Sequence, residues 1–235
     1  MMAKVSIIIP TLNEERMLPR CLESLEKQSF GDFEVIVVDS GSEDDTVAIA
    51  RMHGAKVVFE PKLGFAVAKN FGAAEAVGEI LVFTDADSLH PQDWLARIVA
   101  HFAHKEVVAV IGPIKPIERG IIHMVMFALT TGIIPHITSF LGFYVAQAPN
   151  QAFRRSAFEK VGGYDERLRM LEDNELPNRI KTTGKVVFDP SIWVYSSARR
   201  YEQEGYIRAT MRFLGAYWKI YFKKKAAAED YPLYR

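Results

Sequence analysis

Ile80-Leu81-Val82-Phe83-Thr84-Asp85-Ala86-Asp87 joins a run of apolar, β-forming residues directly to two carboxylates set one residue apart. The run is too short for a helix, and its branched and aromatic side chains suit a buried strand. Towards the N-terminus the pattern recurs. Val5 to Pro10 reads as a strand followed by Thr11, Asn13 and Glu14; Glu34 to Asp39 reads as a second, followed by Ser40 and Ser42; Ala55 to Glu60 reads as a third. Helical stretches lie between them: Glu14 to Gln28 with Leu18, Leu22 and Leu25 on one face, one through Val47, Ile49 and Ala50, and one through Ala66, Asn70 and Ala73. Strands alternating with helices predict an α/β protein with a mostly parallel sheet flanked by helices. Ligands of such sheets bind beyond the carboxyl ends of the strands, where these polar residues gather.

The 235 residues suffice for one substantial domain with appendages. A hydrophobic content of 49% with 25% charged residues excludes a disordered chain. Zero formal net charge removes the positive field a nucleic-acid binder would show, so no nucleic-acid partner is expected. The single cysteine, Cys21, cannot form an internal disulfide and reads as a packing residue of a reducing compartment. Met1-Met2-Ala3-Lys4 runs straight into the first strand, unlike a secretory signal, so the catalytic part is expected in the cytoplasm.

Two hard carboxylates on a short turn suit Mg²⁺ or Mn²⁺, which then binds substrate phosphates. Alone, an Asp-x-Asp reads more readily as a strand-end turn with solvated acids than as a metal site. Its context is Pro10-Thr11-Leu12-Asn13-Glu14, Asp39-Ser40-Gly41-Ser42, and Gly64, Ala68, Asn70 and Gly72 ahead of the Asp85 strand. In order and spacing these motifs, over roughly residues 5 to 200, resemble the inverting family 2 glycosyltransferases of GT-A (Rossmann-like) fold, among them polyprenyl-phosphate mannosyltransferases and cellulose-synthase-like catalytic domains. The resemblance implies a nucleotide-sugar pocket lined by Pro10, Thr11, Asn13, Glu14, Gly64, Asn70 and Ala86. It implies a base or ribose contact by Asp39, a ribose or metal contact by Asp85, and Asp87 as principal metal ligand. It also implies a catalytic domain over 1–200, with a nucleotide-sugar-binding half over 1–112 and an acceptor-side half over 113–200. Thr11 and Asn13 are also read as helix N-caps, and Asp39 as a turn residue.

Leu171-Glu172-Asp173-Asn174-Glu175, preceded by the Gly162-Gly163 turn, resembles the family's acceptor-side Glu-Asp motif. A sugar hydroxyl needs a positioned carboxylate to take its proton. Asp173 is assigned that role and Glu172 acceptor positioning; the other reading is a charged helix start favoured by the dipole. A lipid phosphate, with its second ionisation near about 6, needs little help from a base, so the motif favours a hydroxyl acceptor. Arg199 and Arg200 suit bidentate contact with a diphosphate or else start a surface helix. Tyr201 stands where processive members carry Trp, and no Gln precedes it at their spacing, which speaks against processive polymerisation.

No Asp, Glu, Lys or Arg occurs between Arg119 and Arg154. Such a span raises a transmembrane reading, but Thr130-Thr131-Gly132, Pro135-His136 and Thr138-Ser139 interrupt it, and a crossing would part the acids of the site. An apolar wall or membrane-facing shelf is expected, with buried core as the alternative. Tyr206 to Lys225 reads as a helix with Ile207, Met211, Leu214, Trp218 and Tyr221 at helical spacing and many Arg and Lys beside them. The 201–235 stretch therefore suits a membrane interface or docking on the sheet. His123 and His136 read as wall residues; His53, His90, His101 and His104 read as surface positions. Together these point to transfer of a hexose, GDP-mannose being slightly favoured as donor, to a hydroxyl of a lipid-linked glycan at the cytoplasmic face of a membrane. The alternatives are a polyprenyl-phosphate glycosyltransferase, a UDP-glucose-dependent enzyme, and a non-catalytic sugar-nucleotide binding module. Nucleotidyltransfer is disfavoured, since no glycine- and arginine-rich loop follows the first strand.

Overall fold

The computed structural model describes residues 4–199 and 205–218. The expectations for Arg200, Tyr201, Tyr221 and the tail to Arg235 lie outside the described residues, as do the side chains of Ile207 and Leu214.

Strands β1 (Val5–Thr11), β2 (Phe33–Asp39), β3 (Lys56–Phe59) and β4 (Ile80–Phe83) are the four read from the sequence. Later come β5 (Ser88–Leu89), β6 (Val107–Ile111), β7 (Ile114–Pro116), β8 (Gln151–Arg154), β9 (Lys185–Phe188) and β10 (Val194–Ser196). The main sheet has seven strands in the order β3-β2-β1-β4-β8-β6-β9 and a second has three in the order β5-β10-β7. In the main sheet only β8 runs antiparallel to its neighbours, β4 and β6. The α/β, mostly parallel architecture is as expected. From β1 the chain winds outward through β2 and β3, then returns to place β4 on the other side of β1. That reversal makes a crevice at the carboxyl ends of β1 and β4.

Helices α1 (Leu18–Glu26), α2 (Thr46–Met52), α3 (Phe65–Ala74), α4 (Trp94–His101), α5 (Ile121–Phe127), α6 (Ile134–Phe140), α7 (Arg155–Lys160), α8 (Glu172–Ile180) and α9 (Tyr206–Tyr217) surround the sheets. Successive residues of β1 point to opposite faces. Ile7 and Ile9 pack with Leu18, Leu22 and Trp94, while Ile8 packs with Ala66, Phe83 and Phe153 on the other side. The helix expected from Glu14 begins at Leu18, with Pro19 in its first turn. A helix begun at Glu14 would put Pro19 in its interior, where it lacks an N–H and clashes with the preceding turn.

Within the charge-free segment, Ile121–Phe140 forms one continuous helical rod. α5 and α6 are joined by a π-helical stretch, Ala128–Ile133. The Thr130 and Thr131 hydroxyls donate to the carbonyls of Met126 and Phe127 at 2.7 and 2.9 Å. Pro135 lies in the first turn of α6, where the wider π turn accommodates its missing N–H. The polar residues expected to interrupt the segment therefore do not break it. By length and composition alone Ile121–Phe140 could cross a membrane, its most apolar 18-residue window having mean hydropathy 1.6 with 17% of it buried. One stripe, Phe127, Thr131 and Pro135, is buried against the protein. Ile121, Ile122, Met124, Ile137 and Phe140 are exposed, which overturns the buried-core reading. α9 buries Ala209 and Ala216 and presents Met211 outward, and the adjoining Trp218 is exposed. Its Phe213 packs on Met170 and Leu171, and the Tyr206 hydroxyl lies 2.5 Å from His123 Nδ1 on α5.

α3 lies so close to the sheet that a Cβ on Gly72 would stand 2.5 Å from Ile8 Cγ2 and 2.7 Å from Val38 Cγ2. Gly72→Ala should therefore lower the free energy of unfolding by about 1–2 kcal/mol in a denaturant titration, despite Ala's better helix propensity, because both contacted side chains are stiff and buried.

Candidate active site at the strand ends

The loops after β1 and β2 are latched to each other. Asn13 N–H donates to Ser42 Oγ (2.9 Å), Glu14 N–H to Thr46 Oγ1 (2.8 Å) and Glu15 N–H to Asp44 Oδ2 (3.1 Å). In return Glu43 N–H donates to Asn13 Oδ1 at 2.9 Å. Asn13 is left-handed, with φ 57°, a conformation Asn tolerates better than most residues. Neither Thr11 nor Asn13 caps α1, whose N-cap is Met17 without a side-chain bond. Thr11 Oγ1 instead lies 3.3 Å from the Val38 carbonyl and 3.4 Å from Asp39 Oδ1. Asp39 also accepts from Ser42 Oγ (2.5 Å) and from the N–H groups of Gly41 and Ser42 (each 3.0 Å). A carboxylate offers about four acceptor positions, and all are engaged, so Asp39 organises the turn here. A nucleoside contact through it would displace one of these donors. Pro10 precedes Thr11 in the same strand, half-buried.

Asp85 and Asp87 follow β4. Beneath them Cys21 Sγ lies 3.6 Å from the Asp85 carbonyl, and Ala86 is buried. Thr84 Oγ1 lies 2.8 Å from His90 Nε2, and Ser24 Oγ lies 2.9 Å from His90 Nδ1. His90 is thus a core residue and not the surface position expected from its polarity. Burial brings its pKa down to about 3, so it stays neutral. Strand β10 brings the far end of the chain over the turn: Ser196 Oγ donates to Asp87 Oδ1 at 3.3 Å. Arg199 follows, its guanidinium 3.2 Å from Glu14 Oε1 and 4.0 Å from Asp87 Oδ2. Arg199 therefore bridges the β1 loop and the turn, more than a surface-helix start would. Burial raises the Glu14 pKa against the pull of Arg199, with Asp85 and Asp44 adding to the rise.

Glu172 and Asp173 open α8. Its cap, Leu171, is left-handed at φ 62°, and the acids of the first turn suit the helix dipole. Glu172 is buried and accepts from Lys69 Nζ of α3 at 3.0 Å. Lys69 is 1% exposed, with its ammonium 5.0 Å from the Tyr164 ring centroid. Burial alone would lower its pKa; Glu172, Asp85 and Asp173 outweigh that and raise it. Those influences place the two acidic groups in one electrostatic neighbourhood. Asp173 is half-buried; Asn174 Nδ2 donates to its Oδ1 at 2.8 Å, and the Ala148 N–H also bonds it. Burial, with Glu172 next, pushes the Asp173 carboxyl up to about 7.

Two expected pocket residues have positioning roles. Gly64 caps α3 with φ 146°, a value that suits only glycine. Asn70 clamps the glycine turn, donating to the Tyr164 carbonyl at 2.9 Å and accepting from its N–H at 2.9 Å. A Cβ on Gly163 would stand 2.5 Å from Asn70 Oδ1. Lys69 and Ser196 were not singled out from the sequence. Lys69 had a signal, as the lone charge among Ala66, Val67, Ala68, Gly72 and Ala73. Ser196 had none.

Among the described residues no three His, Cys, Asp or Glu side chains form a metal cage. A Mg²⁺ or Mn²⁺ site completed by substrate phosphate needs only one or two carboxylates, and the hard oxygens of Asp85 and Asp87 fit that donor set. Fold and strand ends together define a GT-A glycosyltransferase. The mannosyltransferase PcManGT of Pyrobaculum calidifontis, solved with GDP-Man and Mn²⁺, superposes with TM-score 0.69 at 22% identity, over 97% of this chain and 66% of that one. S. aureus TarS 1–349 with UDP-GlcNAc gives 0.67 at 24% identity, over 83% and 59%. The family described as Glycosyl transferase family 2 matches residues 6–162, and the chain belongs to it. A PGL/p-HBAD biosynthesis glycosyltransferase of Mycobacterium tuberculosis is 41% identical over 114 residues, 43% of this chain and 42% of the relative. An uncharacterised glycosyltransferase of Nostoc sp. is 31% identical over 173 residues, 67% and 53%. The chain thus spans about half the length of these curated relatives.

Lys69→Met would leave Glu172 buried without its cation and should cost about 3–5 kcal/mol in thermal or urea unfolding. Lys69→Met combined with Glu172→Leu should recover most of that loss, since an apolar pair replaces the ionic one.

Proposed function

We propose that the chain transfers a hexose from a nucleotide sugar to a hydroxyl of a lipid-linked glycan, with inversion at the anomeric carbon. The observation that carries this reading is the Asp173 carboxyl, raised to about 7 and set on a different element from the Asp85–Asp87 turn. A group with that pKa is ionised above neutrality yet still basic enough to take a proton. Asp173 takes it from the attacking hydroxyl in a single in-line displacement, its orientation held by Asn174 and the Ala148 N–H. Glu172, fixed by Lys69, shapes the acceptor side. Asp87, with Asp85, would hold Mn²⁺ or Mg²⁺, which when bound neutralises charge on the departing diphosphate. Arg199 exchanges Glu14 for a phosphate oxygen, an anion it can grip bidentately; Arg200 is assigned the same task. Residues 1–112 serve the donor and 113–200 the acceptor, apart from Arg199 and Arg200, which reach back to the diphosphate.

GDP-mannose is the first donor to test, a choice supported by the GDP-Man complex of the Pyrobaculum neighbour. UDP-glucose is the competing donor. The exposed rod Ile121–Phe140, with the outward Met211 of α9 and the adjoining Trp218, supports docking of the rod and of 201–235 on the cytoplasmic face of a membrane, where a lipid-linked acceptor is presented. With Phe127, Thr131 and Pro135 held by the protein, the rod lies along the surface and does not span. A polyprenyl-phosphate acceptor remains the second reading, because an acidic acceptor would use the same shelf.

A panel of nucleotide sugars tested for Mn²⁺-dependent thermal stabilisation identifies the donor, and Asp87→Ala should abolish that shift. Asp173→Asn should keep it while stopping donor turnover onto water or sugar hydroxyls. Wild-type turnover should rise about tenfold per pH unit below pH 7 and level off above it, because Asp173 works only when deprotonated. Full transfer by Asp173→Asn would overturn the base assignment in favour of a phosphate acceptor. Liposome flotation should recover the wild-type chain, and Ile122→Glu with Phe140→Glu should lower the floated fraction several-fold; equal flotation would sink the membrane reading.

A further inference from the structure

α8 carries a proline in its interior. Pro177 has no N–H, so the main-chain carbonyl of Asp173, four residues earlier, has no helical donor. The proline ring also crowds that carbonyl. A buried carbonyl without a partner is costly, yet this one is satisfied from outside the helix: Gln151 Nε2 donates to it at 3.0 Å.

Gln151 is built for that contact. It is 1% exposed and sits at the start of β8, opposite Phe83 of β4 and Ile111 of β6 in the middle of the main sheet. Its other end, Oε1, accepts from the Tyr164 hydroxyl at 3.2 Å. The amide therefore has one orientation, since a flip would set Oε1 against the Asp173 carbonyl oxygen, which can only accept. The neighbouring chain grips the same turn of α8 from the side-chain face. Ala148 N–H bonds the Asp173 carboxylate, and Ala146 N–H donates to Asn174 Oδ1 at 3.1 Å while Asn174 Nδ2 holds Asp173 Oδ1. Residues 146–151 thus fix both ends of Asp173, its carboxylate and its carbonyl.

We infer that Gln151 is a positioning residue for transfer: it holds the Asp173 carbonyl that Pro177 leaves without a helical donor, and so fixes the aim of the Asp173 carboxylate. The inference rests on the reading of Asp173 as the base. Helix and sheet depend on each other here, because the proline creates the vacancy that the glutamine fills. A small misplacement of a reacting group costs rate and leaves binding intact.

The test pairs the two residues. With the nucleotide sugar that stabilises the wild-type chain in Mn²⁺, and water as acceptor, Gln151→Leu should lower kcat about tenfold or more with donor KM unchanged. Adding Pro177→Ala returns an N–H to the helix at position 177, and kcat should recover to within about threefold of wild type. A purely structural role for Gln151 would show as loss of thermal stability without that rescue. Gln151→Met serves where Gln151→Leu does not fold. A crystal structure of either variant supplies a readout that needs no donor: the Asp173 carboxylate should leave Ala148 and Asn174, and return to them in the double variant. Unchanged kcat, an unmoved carboxylate, or a double variant as slow as the single one would overturn the inference. Asp173→Asn run alongside separates the two claims. If it retains full turnover, the base assignment fails; if it is inactive while Gln151→Leu is normal, only the positioning role fails.

Discussion

An ammonium group removed from water must be met by an anion at contact distance, because the desolvation cost is several kcal/mol per ion. Lys69 is in that position on α3, and Glu172 of α8, far along the chain, is the anion that meets it. The pair therefore obliges the segment after β3 and the segment after the glycine turn to close on one another. Its effect is electrostatic as well as geometric. Burial raises the Asp173 carboxyl most, and on top of that Glu172 pushes it up while Lys69 holds it down, so the ion pair acts on both the position and the ionisation of Asp173. Tyr164, with its ring beside the ammonium and its hydroxyl on Gln151, ties this pair to the sheet.

The loops at the strand ends are ordered by a different device. Parallel pairing brings Thr11 opposite Asp39 and leaves both loops leaving the sheet at one edge. Short polar side chains then bind the two loops crosswise, Ser42 and Thr46 receiving N–H groups of the first loop and Asn13 receiving one from the second. The result is a rigid rim beside a turn, Asp85 to Asp87, whose charges are balanced from the opposite side by Arg199.

Much of this was legible in the chain because it is local. Four strands and their polar ends, with Asp85 and Asp87 after the fourth, follow from short apolar runs. What escaped was long-range or cancelled locally. Lys69 has no visible partner until α8 folds against α3. His90 is polar in sequence but buried, since Thr84 and Ser24 satisfy both ring nitrogens. The rod Ile121–Phe140 carries residues that normally end helices, yet threonine hydroxyls and a π turn absorb them. The start of α1 was readable from Pro19 alone, and periodicity in its leucines concealed it. Asp39 shows the reverse case: its position was evident, while the saturation of its carboxylate required the second loop.

The only cysteine of the sequence lies beneath the Asp85–Asp87 turn, wholly buried, with burial and the charges of Asp87 and Asp85 pushing its thiol well above the usual range. Thiolate is the form that reacts with alkylating dyes, so Cys21 is silent towards them in the folded state. A single cysteine introduced at an exposed position of the Ile121–Phe140 rod would then be the sole labelling site, without removing any native residue. An environment-sensitive fluorophore there would report, from one chemically defined point, whether that face leaves water.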